Sequence, residues 1–230
     1  MTKEITQIIN GLVSDIDNTI DGVYDAINER TNVCKTKWSR VGKIVTDDIG
    51  REYRITEIEI DEWIKATPID SANTDPLTGV IYLTSPFYIS GTKIATNNEW
   101  TLSSNDLTTK TPLTWLLEII RVRKYGRGNT IDFESDIRLF FLDETDIRNY
   151  YTKDHRENVV YPMQNLALEF IEIVQKNRQF QTLDEWELIT FSRFGVERDN
   201  GMFQNILDAN LSGVELRITL TKYKGNCKCY

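Results

Sequence analysis

Two long apolar runs constrain this chain more than anything else in it. Residues 113–124 and 136–142 stand on either side of Tyr125-Gly126-Arg127-Gly128-Asn129. A glycine-rich basic turn between two such runs predicts central strands of one sheet. Any fold must bury that sheet and cover at least one of its faces. The cover on offer is helical. Asp154 and Glu157 have the spacing of a capping box, and Val159, Met163, Leu166, Ala167, Phe170 and Val174 follow as an apolar stripe. Pro162 sits two turns into this segment, where it either kinks the helix or marks its first turn.

A second helix is expected at the start. Ile5, Ile8, Ile9, Leu12, Ile16, Ile20, Val23 and Ile27 recur at spacings of one, three or four, with Asp15, Asp17, Asp21 and Asp25 between them. That pattern predicts one long amphipathic helix ending near Asn32, weakened by about 1 kcal/mol at each of Gly11 and Gly22. From Trp38 the period changes to two, with Tyr53, Ile55, Ile58 and Ile60 among charged neighbours and Asp47-Asp48-Ile49-Gly50 as a hairpin turn. Residues 67–78 read as a loop, 80–83, 87–90, 93–95 and 99–102 as short strands, and 186–191 and 214–223 as closing strands with a short helix near 202–207. The expectation is an α+β fold: a mainly antiparallel β-sheet with a long N-terminal helix and a second helix packed on it. It forms a single domain over 1–230, with an extra β-hairpin insertion at about 38–102.

Composition narrows the function. With 27 Lys+Arg against 35 Asp+Glu the net charge is −8, which argues against non-specific nucleic-acid binding, because that affinity comes from cations neutralising phosphates. Cys34, Cys227 and Cys229 are too few for a disulfide framework, and the single His155 adds too little for a transition-metal site. No cofactor is expected. The amino terminus lacks the basic start and apolar core of a signal peptide, and no apolar run approaches a membrane span.

Four motifs invite a chemical reading. Asp15-Ile16-Asp17-Asn18-Thr19 has the D-x-D-x-T form of the nucleophile loop of haloacid-dehalogenase-type phosphatases, whose chemistry needs that loop at the end of a buried parallel strand with Mg²⁺ nearby. Asp17, Thr19, Asp21 and Gly22 resemble half of a calcium loop, but its twelfth position is Asn28 in place of the bidentate glutamate. His155, without a nucleophile or carboxylate at motif spacing, is expected on the surface. Arg121, Arg123, Lys124 and Arg127 form the dense basic cluster, with Arg121 and Arg123 on one face because strand side chains alternate. These four are the candidate contacts with a partner surface.

Three stretches together carry a resemblance: PLTWLLEIIRVR at 112–123, DIRLFFLDETDIRNYYTKDHRENVVYPMQNLALEFIE at 136–172, and NILDANLSGVELRITL at 205–220. With the Pro162-Met163 step and the Leu211-Ser212-Gly213-Val214 entry into the last strand, the chain resembles the tail-terminator or tail-completion proteins of tailed bacteriophages, particularly those of phages of Bacteroidetes hosts. The resemblance implies a structural virion protein, made in the host cytoplasm, with no catalytic residues. It would form a sixfold or twelvefold ring in the neck or at the head-proximal end of the tail, between portal or adaptor and tail proteins, with DNA only as passing cargo. The alternatives are a phosphatase using Asp15 and Asp17, and a monomeric assembly chaperone or binding module.

Overall fold

The computed structural model describes residues 4–103, 107–125, 132–146, 150–181, 183, 185–194, 196–199, 202–205, 207 and 209–222. The chain opens with α1 (Ile5–Ser14), which buries Ile8, Ile9, Leu12 and Val13. Six strands follow: β1 (Thr19–Asp25), β2 (Arg30–Val33), β3 (Ile44–Thr46), β4 (Glu52–Glu59), β5 (Trp63–Pro68) and β6 (Gly79–Tyr82). They close into an antiparallel barrel in the order β1-β2-β5-β4-β3-β6. Alternation fills it: Ile20, Val33, Tyr53, Ile55, Ile64 and Ile81 are all buried.

The expected long N-terminal helix does not form. α1 stops at Ser14 with Asp15 as its C-cap, and residues 19–25 are a barrel strand. The ambiguity lies in the spacing, since four residues is close to one helical turn and is also an even number, so Ile16 and Ile20 satisfy either period. The later positions decide it. Val23 is 72% exposed and Ile27 92% exposed, the reverse of a buried stripe. Gly22 settles β1 into the barrel, because a Cβ there would lie 2.6 Å from Thr31 Cγ2 and 2.9 Å from Ile81 Cδ1. The Asp25 carboxylate then accepts from the Ile27 and Asn28 amides at 3.0 and 3.3 Å, turning the chain into β2.

Beyond the barrel come β7 (Phe87–Gly91), α2 (Lys93–Leu102), β8 (Leu113–Leu117), β9 (Arg121–Tyr125) and β10 (Asp132–Glu144). Then follow α3 (Thr152–His155), a π-helical turn (Arg156–Val160), α4 (Tyr161–Lys176), β11 (Trp186–Phe194), β12 (Val196–Asp199), β13 (Met202–Asn205) and β14 (Leu211–Lys222). The second sheet has the order β11-β14-β10-β8-β7, with β9 pairing β10 beyond the end of β8; β12 and β13 make a separate hairpin. Among the described residues the architecture is mostly β, two sheets with short helices, in place of the α+β class expected. Residues 38–102 supply β3 to β6 of the barrel, then β7 and α2. Two local readings are corrected as well. Residues 93–95 and 99–102 belong to α2, capped by the Thr92 side chain accepting from the Ala95 amide; the stretch near 202–207 holds β13 where a helix was expected.

The stripe at 159–174 behaves as its period requires. Val159, Met163, Leu166, Ala167, Phe170 and Val174 are fully buried, and Phe170 meets Phe141 of β10 with ring centroids 5.9 Å apart. Asp154 works at the third helical position, where its carboxylate accepts from the Tyr151 amide at 3.2 Å. Pro162 lies within a continuous helical run, immediately after the π-helical turn, where the i→i−5 bond from the Tyr161 amide to the Arg156 carbonyl marks the local change of pitch. Gly213 is required by contact: at φ +153 a Cβ would sit 2.0 Å from the Phe141 carbonyl oxygen across the ladder. One core joins the two sheets, with Ile20, Tyr53 and Ile81 of the barrel in the same cluster as Leu139, Phe141 and Phe170. The opposite face of the second sheet carries its own cluster around Trp115, Phe140 and Phe194.

Candidate functional site

Two groups of charged side chains stand out, one buried and one open. The buried one holds the barrel to the second sheet. Asp143, near the end of β10, is fully buried; Arg40 donates to it through Nε at 2.8 Å and Nη2 at 3.2 Å, and Lys43 Nζ lies 2.8 Å from its Oδ1. Lys43 also donates to the Thr111 hydroxyl at 2.7 Å, and the Glu144 amide to Asp143 at 2.7 Å. Burial by itself would raise the Asp143 carboxyl, but Arg40 and Lys43 hold it down to about 2. Burial pulls the Lys43 ammonium below its ordinary value. The three groups satisfy one another. Their role is to clamp.

The open group lies on the face of the second sheet away from α4. Register places Arg121 opposite Asp136 and Arg123 opposite Glu134, Arg138 opposite Arg217, and Arg217 opposite Glu187. Two arginines directly across a ladder repel. Glu215 resolves this: its fully buried carboxylate accepts from Arg138 Nε and, at 2.8 Å, from Arg217 Nε. Burial would raise the Glu215 carboxyl, but the hydrogen bonds from Arg217 and Arg138 keep it below its ordinary value. Arg217 also reaches Glu187 at 3.4 Å, while Arg123 donates to Asp136 at 2.8 Å and Thr219 to the other Asp136 oxygen at 2.9 Å. Arg121, Asp136, Arg138, Glu187, Arg217 and Thr219 line an open groove of about 630 Å³, with Ile119 at its rim.

Of the four basic candidates, Arg121 lines this groove and Arg123 shares its face, as the alternation predicts. Lys124 belongs to β9, and Arg127 lies outside the described residues, as do Cys227 and Cys229. Arg138, Glu215, Arg217 and Glu187 were missed. Their signal is present as the alternating Asp136-Ile137-Arg138 and Glu215-Leu216-Arg217 steps, but only the pairing of β9, β10, β14 and β11 makes one surface of them.

The remaining motifs are not brought together. Asp15 caps α1 in the open, and Asp17 sits in the connector to β1, where its Oδ1 accepts from the Thr19 hydroxyl at 2.7 Å and its Oδ2 pairs with Lys37 at 2.9 Å. The Thr19 bond, then Lys37, lower the Asp17 carboxyl to about 2. A phosphatase loop follows a parallel strand; this one follows a helix and enters an antiparallel barrel. Thr19 and Asp21 lie on β1, so the calcium-loop resemblance has no loop beneath it. No group of three or more His, Cys, Asp or Glu side chains among the described residues could hold a metal ion. His155 is half-buried where an exposed position was expected; burial lowers its pKa, and its Nε2 has no hydrogen-bond partner among the described residues. Cys34 is free and exposed. No helix among the described residues is long and apolar enough to cross a membrane.

Comparison with protein-family models, with curated proteins and with solved structures finds no match for this chain.

Proposed function

We propose that the chain is a structural subunit of a tailed-phage virion. In this reading copies form a sixfold or twelvefold ring in the neck or at the head-proximal end of the tail, joining portal and tail proteins while DNA passes through. The observation that carries it is the open face of the second sheet. Arg121, Arg123, Arg138 and Arg217 there stand against Glu134, Asp136, Glu185, Glu187 and Glu215, so the surface is close to neutral and richly patterned. Such a face suits a protein surface of matching pattern better than a phosphate backbone, which calls for unpaired cations. Ile119, exposed at its rim, adds apolar area to bury. Arg121, Arg123, Lys124 and Arg127 are the partner contacts of this reading. The acidic balance of the whole chain suits a channel that DNA must traverse without sticking.

Electron microscopy and light scattering of the purified protein test this directly. Closed rings are the expected particles; a monomer at every concentration tried would overturn the reading and favour the binding module.

A further inference from the structure

We propose that successive copies join edge to edge, strand β9 of one copy adding to strand β11 of the next, so that the second sheet runs from subunit to subunit. The proposal rests on the ring reading and names the contact that closes the ring. Across the lower half of the sheet the strand order is β11-β14-β10-β9, and every pair is antiparallel. Among the described residues β9 pairs only with β10, and β11 only with β14. Both ends of this four-stranded row are therefore unpaired edges, each with a line of backbone donors and acceptors.

Strand direction favours the head-to-tail arrangement. Four alternating strands leave the two edges running in opposite directions, so a second copy in the same orientation presents β9 antiparallel to β11. This contact joins two different surfaces, which is what a closed ring of one subunit type requires. The lengths agree, since β9 has five residues and β11 runs regularly from Trp186 to Phe191 before its bulge. Trp-Glu-Leu-Ile-Thr at 186–190 has high strand propensity and none of the lysines, prolines or bulges that protect edges.

Side chains match on both faces. On the α4 side, Val122 is 58% exposed on β9 and Trp186 44% exposed on β11. Register through Ser135, Ile137 and Ile218 puts both on that face. On the other side Arg121 and Arg123 mark the β9 edge, and Glu187 marks the β11 edge with Glu185 just before it. Continuing the sheet sets apolar beside apolar and basic beside acidic.

Native mass spectrometry of the full chain with Val122→Lys and Trp186→Lys tests the pairing, circular dichroism confirming that each variant stays folded. Each variant alone should assemble at least about tenfold less tightly than the parent, since one edge is spoiled. Mixed together they should form one-to-one dimers and nothing larger, because each retains the edge that the other lacks. R121E and E187R, both at exposed positions, serve should either lysine variant lose its fold: each alone should assemble less tightly than the parent, and mixed together they should restore the full oligomer, because both kinds of junction then set basic beside acidic. A parent oligomer that the variants leave intact, or mixed variants that stay monomeric, would overturn edge pairing while the ring reading stood. A parent that is monomeric throughout would overturn both.

Discussion

Asp143 has no solvent contact and two cations within hydrogen-bonding distance, both from the connection between β2 and β3. Removing one member of such a group leaves the others charged and buried without a counter-ion, which costs far more than the group contributes net. Asp143→Asn keeps the shape and is expected to lower stability by on the order of 3 kcal/mol in urea unfolding. The pH dependence has a definite sign. The folded carboxyl is depressed from 3.8 to about 2, so its contribution is fully present above the ordinary value and is lost as pH falls through that window. The shift corresponds to on the order of 2 kcal/mol. Stability curves of the parent and of Asp143→Asn should converge between pH 3.8 and about 2; a gap that persists unchanged there would contradict the clamp.

At the level of elements, the helix α4 shows what local pattern can specify. Its stripe repeats over more than three turns, so no strand could bury Met163, Leu166, Phe170 and Val174 together. Phe170→Ala opens a cavity against Phe141 and is expected to cost about 3–5 kcal/mol, read as a fall in the urea midpoint at unchanged slope. The segments misread from sequence lacked such length. β1 reuses a spacing common to helix and strand, and α2 buries only Thr96 and Trp100 of its ten residues, leaving little periodicity to find. The charged face was legible to the extent that Arg121 and Arg123 had to point the same way. That Arg138 and Arg217 meet across a ladder, with Glu215 beneath them, follows from strand pairing alone.

At the scale of the whole molecule, the barrel and the second sheet do not have separate interiors. Barrel residues Ile20, Tyr53 and Ile81 share a core with Leu139 and Phe170, and the Arg40–Asp143–Lys43 group bridges the same junction. Such coupling should make unfolding all-or-none. Calorimetry is expected to give one transition with equal calorimetric and van't Hoff enthalpies; two resolved transitions would mean that the junction is weak. A rigid junction also suits the assembly proposed, since a sheet that continues into its neighbours fixes the direction in which every barrel projects.

By itself the sequence determined the short-range features: the buried strands at 113–117 and 136–142, the turn at Asp47–Gly50, the helix beneath the sheet and the shared face of Arg121 and Arg123. Each of these follows from side-chain period, turn chemistry or charge within a dozen residues. Tertiary structure decided that residues 19–82 close into a barrel, that one apolar run becomes two strands on one partner, and that β9 and β11, opposite in charge, lie at opposite ends of a four-stranded row. Closure and pairing join residues up to about a hundred positions apart, as Arg40 and Asp143 are, and no local period records which distant strand will supply the hydrogen bonds.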